Sequence, residues 1–408
     1  MRKASNSKDI KISNRLLVRD TIRRKGLIAR YELAKETGLT PPTVTVIVNE
    51  LINDGVVREV GHGESSGGRR PIMLELDPKA ALIFAIRIQR GEVVAAIFDL
   101  IGNILNQHSQ TLDTASPEKV VDAVGQSYDW LVHNTAIDKK LILWCGIATP
   151  GLVDANQGMV QRSSNLGWEK MPLGEMLSRR LGGLPVHVEN ISNSAALAET
   201  EFGTGRGSTN LIYLNLSVGI GAGIILNKEI YRGFHGYAGE IGHMTLIPEN
   251  GPPCTCGSNG CFESVCGISA IFEKAKAVID DNLLERLGIA KTELTFQKLL
   301  SSPLRENPAV KEVLVHSGYY IGIAVGNLIN LFNLDTVVLG GELAQTGEAF
   351  LNEIKAVVKK RVFSEICEGV KIICSNLKED PPLKGIYALV VKKIFATPEW
   401  FGSDSASS

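Results

Sequence analysis

Three cysteines crowd into eight residues, Cys254-Thr-Cys256-Gly-Ser-Asn-Gly-Cys261, and a histidine, His243, lies eleven positions upstream in Gly239-Glu-Ile-Gly-His243. Whatever the chain folds into has to accommodate this cluster. Three sulfurs on a glycine-containing loop and one imidazole make four ligands, the number and type that tetrahedral Zn²⁺ takes, with Zn–S about 2.3 Å and Zn–N about 2.0 Å. Four protein ligands leave no open position, so the ion expected here is structural and not a Lewis acid acting on substrate. Reduced thiols without a metal, or a redox pair with a spare sulfur, are the alternatives. A disulfide framework is not expected, because seven cysteines is an odd count, no even spacing runs along the chain and no secretory segment is recognisable. A metal would hold its loop beside Glu240 and Glu263, two carboxylates placed to bind a polyol.

At 408 residues the chain is long enough for two or three domains, and 44% apolar with 21% charged residues is ordinary for a globular protein. Its net charge of −1 is uninformative until it is divided along the chain. Residues 1–76 hold 14 Lys/Arg against 9 Asp/Glu, and the remainder holds 29 against 35. A basic N-terminal module on an acidic body is a footprint of nucleic-acid binding. No stretch approaches the roughly 20 apolar residues of a membrane span, so a soluble, cytoplasmic protein with no membrane partner is expected. The small polar residues 401–408 are expected to fray.

The N-terminal module reads as a winged helix-turn-helix over 1–76. A first helix is expected over 13–25, ended by Gly26, and a second over 30–37, ended by Gly38. Thr40 can cap a third, with Pro41 at its first turn, where the missing N–H is harmless. In that helix Val44, Ile47, Val48, Leu51 and Ile52 form the buried stripe. Pro42, Thr43, Thr45, Val46 and Asn49 point away from it. A strand over 56–60, a Gly/Ser-rich tip over 62–68 and Arg69-Arg70-Pro71 then make a wing, whose arginines suit a minor groove. The expected DNA contacts are Thr40, Pro42, Thr43, Thr45, Asn49, Arg69 and Arg70. No Arg or Gln on the helix face gives a base code.

From about Ala81, beyond a linker at 77–80, the pattern becomes α/β. Strands are expected over 82–87, 92–100, 141–148, 210–216, 221–226 and 336–339, with helices over 192–202, 267–279 and 319–331. Strand hairpins in both halves, alternating with helices, imply a duplicated architecture with a cleft between two lobes, 81–197 and 198–400, the last helix being free to rejoin the first lobe. The segments Gly146-Ile-Ala-Thr-Pro-Gly151, Ser164-Asn-Leu-Gly-Trp168, Glu189-Asn-Ile-Ser-Asn-Ser-Ala-Ala-Leu-Ala-Glu199, Glu240-Ile-Gly-His243 and Cys254-x-Cys256-Gly-x-x-Gly-Cys261-x-Glu263 resemble the ROK family (repressors, open reading frames, kinases) along essentially the whole chain. The wing segment Ser65-Ser-Gly-Gly-Arg-Arg-Pro71 looks like its repressor branch. The resemblance implies an actin/hexokinase-like (ribonuclease H-like) two-lobed fold, a structural zinc on His243, Cys254, Cys256 and Cys261, and a sugar in the cleft contacted by Asn165, Asn190, Glu240, His243 and Glu263.

Two departures bear on catalysis. A kinase of this fold needs a carboxylate base near the accepting hydroxyl, which the family supplies as the Asp of Asn-Asp-Ala-Asn. Here Asn190-Ile191-Ser192-Asn193 puts Ile191 there, and isoleucine accepts no proton. The family's Asp-x-Gly-Gly-Thr phosphate hairpin is replaced by Arg87-Ile-Gln-Arg-Gly-Glu92. The glycine-rich turns Ser217–Gly221 and Gly340-Gly341 remain. The expectation is a non-enzymatic regulator with no catalytic residue, most simply a repressor of carbohydrate-utilisation genes, whose affinity for operator DNA changes when a small sugar effector closes the cleft of a homodimer or homotetramer. An active kinase that also binds DNA, and a ligand-free dimerising DNA-binding protein, are the competing readings.

Overall fold

The computed structural model describes residues 7–63, 70–301 and 303–397. The wing residues 64–69, Arg69 among them, and the tail 401–408 lie outside the described residues.

The N-terminal module has helices α1 (Ser7–Lys25), α2 (Arg30–Thr37) and α3 (Pro41–Asn53) on a small antiparallel sheet of β1 (Ile28–Ala29), β2 (Val57–His62) and β3 (Ile72–Leu76), in the order β1-β3-β2. Gly38, at φ +71°, ends α2, and Thr40 caps α3 by accepting from the Thr43 amide. Val44, Ile47, Val48 and Leu51 are buried, whereas Ile52, expected in the same stripe, is only half-buried, one residue before the helix ends.

The first lobe carries β4 (Leu82–Gln89), β5 (Glu92–Asp99), β6 (Ile104–Thr111), α4 (Pro117–Thr135) and β7 (Ile142–Thr149). They are followed by β8 (Leu152–Asp154), β9 (Met159–Ser163), β10 (Trp168–Met171), α5 (Leu173–Arg180), β11 (Val186–Asn190) and α6 (Ile191–Glu201). Its main sheet runs β11-β7-β4-β5-β6, and β8–β10 form a separate small antiparallel sheet that the sequence reading did not anticipate. The second lobe begins with β12 (Leu211–Leu216), β13 (Ile220–Leu226) and β14 (Glu229–Ile230). Then come α7 (Phe262–Cys266), α8 (Ile268–Val278), α9 (Asp281–Arg286), α10 (Phe296–Leu300), α11 (Pro308–Phe332), β15 (Thr336–Gly340), α12 (Glu348–Arg361), α13 (Ser364–Cys367), β16 (Lys371–Cys374) and α14 (Pro381–Ala396). Its sheet runs β14-β13-β12-β15-β16.

The two main sheets are the same motif twice. In each, an antiparallel meander of three strands (β4-β5-β6; β12-β13-β14) is extended by two parallel strands (β7 and β11; β15 and β16). In each, the last parallel strand leads into a helix that packs on the other lobe's sheet: α6 lies on β12 and β13, and α14 on β4 and β7. The boundary expected between residues 197 and 198 therefore falls inside α6. Helix α11 begins eleven residues before the expected Tyr319, because Asn307 caps it with Pro308 at the first turn; its polar opening, with Lys311 and Glu312, obscured the apolar period.

Candidate functional site

The cleft wall of the second lobe is built on the first residues of β13. Gly239 and Gly242 lie so close to this strand that a β-carbon on either would sit 2.1 Å from the carbonyl oxygens of Ala222 and Ile220. That approach lays Glu240 and the short 3₁₀ turn Ile241–His243 along the strand. Glu263, in the first turn of α7, accepts from the Ile220 amide at 2.9 Å. From the first lobe, the turn between β9 and β10 presents Asn165. It is stiffened by amide bonds from Leu166 and Gly167 to the Ser163 carbonyl, and by buried Trp168, whose Nε1 donates to the Thr114 carbonyl at 3.0 Å. A β-carbon on Gly219 would lie 3.0 Å from Asn165 Nδ2 and 3.2 Å from Glu263 Oε2. The two lobes thus meet at Gly219, with an amide from one side and a carboxylate from the other. Gly219 was not singled out from the sequence, where it is one glycine of a common turn.

Glu240 is an exposed residue, yet its carboxyl is partly shielded from water. Loss of water there raises its pKa; His243 opposes the shift and Glu263 adds to it. Asn190 is placed differently from a free sugar-contacting amide. It caps α6, its Oδ1 accepting from the Ser192 amide at 2.7 Å and the Asn193 amide at 3.3 Å, and its Nδ2 donates to the Gly151 carbonyl at 2.9 Å. Two carbonyl acceptances and one donation leave one amide hydrogen for a ligand. Its neighbour Glu189, 1% exposed, accepts from the Asn190 amide and from Asn193 Nδ2, and from Arg232 of the second lobe at 2.7 Å. This ion pair between the lobes, buried on the Glu189 side only, was not anticipated.

His243 Nδ1 lies 3.6 Å from Cys254 Sγ, and Cys256 Sγ 3.7 Å from Cys261 Sγ. The four ligand atoms all lie within 4.8 Å of one another and could hold a metal ion. A tight turn, Gly257 N–H to Cys254 C=O with Gly257 at φ +93°, folds the sulfurs together. Elsewhere Cys145 and Cys266 are buried, and burial pushes the Cys266 thiol up to about 12. Cys367 and Cys374 are half-buried against the core of the second lobe.

Arg87 lies in the segment read from the sequence as replacing a phosphate hairpin. It is 8% exposed at the end of β4, its Nε donates to Asp380 and its Nη2 to Glu92 at 2.6 Å. Ile191 occupies the first position of α6, half-buried against the core that α14 shares with the first lobe.

On the DNA-binding module, Thr40, Pro42, Thr45, Val46 and Asn49 are exposed and Thr43 half-exposed, along one face of α3. Arg70 is exposed. Part of this face is already engaged: Thr45 Oγ1 donates to the Pro41 carbonyl, and Asn49 Oδ1 accepts from Arg30 Nη2 at 3.1 Å. Arg30, at the start of α2, is a basic side chain at this face that the sequence reading overlooked; only the fold brings it beside α3.

Residues 83–393 match the ROK family, and residues 20–58 match winged helix-turn-helix DNA-binding proteins. The chain is 31% identical to the xylose repressor of Bacillus subtilis (strain 168) over 381 residues, 93% of this chain and 95% of that one. Its fold superposes on a crystal structure of a ROK family transcriptional regulator, a homologue of the Escherichia coli MLC protein, with a TM-score of 0.79, 27% identity and 94% and 96% of the two chains covered. A ROK family glucokinase from Streptomyces griseus, in complex with glucose and AMPPNP, superposes with a TM-score of 0.67 and 26% identity over 76% of this chain and 99% of the kinase. About a quarter of this chain has no counterpart in the kinase.

Proposed function

The chain belongs to the ROK family, and from that premise we propose that it is a DNA-binding transcriptional regulator, in the sense of a repressor, whose operator affinity is set by a sugar held between the two lobes. The observation that carries this reading is the convergence of Asn165 and Glu263 on Gly219, with Glu240 and His243 alongside. Sugar hydroxyls donate and accept at once, and paired amides and carboxylates answer both demands. Asn190 contributes its remaining N–H. Arg232 and Glu189 hold the lobes together across the same cleft.

The four-ligand cluster is read as a structural zinc site. A tetrahedron with Zn–S of about 2.3 Å and Zn–N of about 2.0 Å has S···S edges of about 3.8 Å and S···N edges of about 3.5 Å; the separations of 3.7 Å and 3.6 Å lie close to these. When bound, zinc would supply no chemistry beyond cross-linking the loop 243–261 and holding the His243 ring so that its other nitrogen faces the sugar.

Phosphoryl transfer is not part of this reading. Ile191 offers no base, and Arg87, held by Asp380 and Glu92, fills the phosphate hairpin. The pairing of DNA-binding modules that half-site recognition needs makes a homodimer, or a tetramer built from dimers, the working assembly. The DNA contacts are Thr40, Pro42, Thr43, Thr45, Asn49, Arg69 and Arg70.

Thermal unfolding against xylose, glucose, N-acetylglucosamine and their phosphates, with and without ATP, tests the reading. Bound ligand stabilises by about 2.7 kcal/mol at a hundredfold excess over Kd. A rise with one neutral sugar and none with ATP is expected, xylose being the first to try. No rise with any sugar would leave a DNA-binding scaffold, and turnover of sugar with ATP would make the body a kinase.

A further inference from the structure

Helices α6 and α14 start at the cleft and end at the DNA-binding module. At the cleft end, α6 is capped by Asn190 and α14 by Asp380, which also accepts from Arg87. At the other end, Glu201 of α6 pairs with Lys392 of α14 at 2.7 Å and lies 3.9 Å from Arg23 of α1. The helices run parallel in register: Ser194 faces Gly385, and seven residues on, Glu201 faces Lys392. At Gly385 they touch backbone to backbone, since a β-carbon there would sit 1.6 Å from the Ser194 carbonyl oxygen. A pair in such contact cannot slide by small increments; it moves as one body. At 16 residues, α14 spans about 24 Å. Because α6 packs on the second lobe and α14 on the first, any change in the angle between the lobes acts on this pair.

At the far end of α14, a buried side chain of the DNA-binding module meets the helix's last carbonyls. Arg19, in the middle of α1, is 1% exposed, and its Nη2 donates to the carbonyls of Phe395 (2.6 Å), Thr397 (3.1 Å) and Ile394 (3.3 Å). Its guanidinium lies 5.1 Å from the Phe395 ring centre. Burial, with Arg15 adding to it, brings its pKa down to about 10, so it remains charged at neutral pH. A cation on the exposed carbonyls of a helix C-terminus meets both their hydrogen-bonding demand and the helix dipole. Val18 and Ile22, on either side of Arg19, belong to the same buried cluster as Ile386, Val390 and Ile394 of α14.

We propose that Arg19 is the positioning residue that transmits the state of the cleft to the DNA-binding module, by fixing α1 to the C-terminus of the α6–α14 pair. The inference rests on the sugar-responsive reading above. The contacts described for Arg19 lie at the end of α14 and not among the residues assigned to the cleft or to the exposed face of α3, so its loss separates transmission from binding.

The test uses the full-length protein and a 30-base-pair duplex enriched from a random pool on the wild type. Its affinity is measured with and without the sugar that raises the melting temperature. Couplings of this kind span about 5- to 150-fold. In Arg19→Gln the sugar should still raise the melting temperature and the duplex should still bind, while the sugar-induced change in affinity falls below about twofold. Arg19→Lys, which keeps the charge and reaches fewer carbonyls, should retain an intermediate response. Glu201→Gln, at the same junction and partly exposed, provides a second reading if Arg19→Gln fails to fold, and should also weaken the response. A full wild-type response in the folded Arg19 variant, or in Glu201→Gln where that variant is needed, overturns the inference alone. Failure of every sugar to change duplex affinity in the wild type overturns the reading beneath it.

Discussion

At the scale of residues, Ile191 and Arg87 carry the proposal that this body is no phosphotransferase, and they bear on it differently. Ile191 removes a group; Arg87 adds one, with two carboxylates bound to it. Restoring the carboxylate alone should therefore not restore catalysis. Ile191→Asp is expected to show no ATP-dependent sugar phosphorylation above background. It should also lower the melting temperature, because a charge would replace an apolar side chain packed against the core of α14. A coupled-enzyme assay and a thermal melt check both. His187 is a second residue with a measurable signature. It is 4% exposed in β11 and its Nδ1 accepts from Lys393 Nζ at 2.8 Å. Burial, with Lys393 and Arg232 nearby, pulls its pKa down to about 3. The unfolded chain, titrating near 6.5, binds the extra proton between those values, so stability is complete above about pH 6.5 and declines as pH falls toward 3, by up to about 1.4 kcal/mol per unit. Urea unfolding across this range should show the slope, and His187→Gln should flatten it. An unchanged slope would place the acid sensitivity elsewhere.

At the scale of elements, the α6–α14 pair is the one whose geometry tolerates least. Gly385→Ala must push the helices apart or bend one of them, and should cost more than about 3 kcal/mol, beyond the usual range of overpacking. Chemical denaturation measures it; a loss below about 1 kcal/mol would show that the helices part easily. Much at this scale was legible in the chain itself. The Thr40-Pro41 opening of α3, its apolar stripe and the glycines that end the first helices are local signals, and each depends on a few residues acting on their neighbours. The opening of α11 was missed although Asn307-Pro308 is the same signal, because the polar first turns hid the apolar period that had been sought. The small sheet of β8–β10 was missed because its strands are three to five residues long, too short to show an alternation. The loop 243–261 is an element in its own right if a metal closes it. Metal analysis of the purified protein should find about one zinc per chain, set by the four ligands. Chelation should speed proteolysis within residues 240–263 and weaken sugar binding. Unaltered sugar binding by metal-free protein would confine the cluster to a role apart from the cleft.

At the scale of the whole molecule, the chain by itself determined the order of its parts. A basic winged module precedes a duplicated α/β body, and the ligand types at 240–263 are set by composition and spacing, since sulfur, imidazole and carboxylate keep their chemistry in any fold. Among the described residues, no helix is long and apolar enough to cross a membrane. What only the tertiary structure decided is which distant residues share a contact. Asn165 and Glu263, nearly a hundred positions apart, meet at Gly219; Glu189 finds Arg232; Arg87 finds Asp380; and Arg19 reaches the last carbonyls of α14, some 375 positions away. None of these pairings leaves a trace in local pattern, because a side chain's propensity and period report only on neighbours within a turn or a strand. Long-range partners are chosen by the crossing of α6 and α14 between two sheets, and that crossing is set by the packing of the whole body.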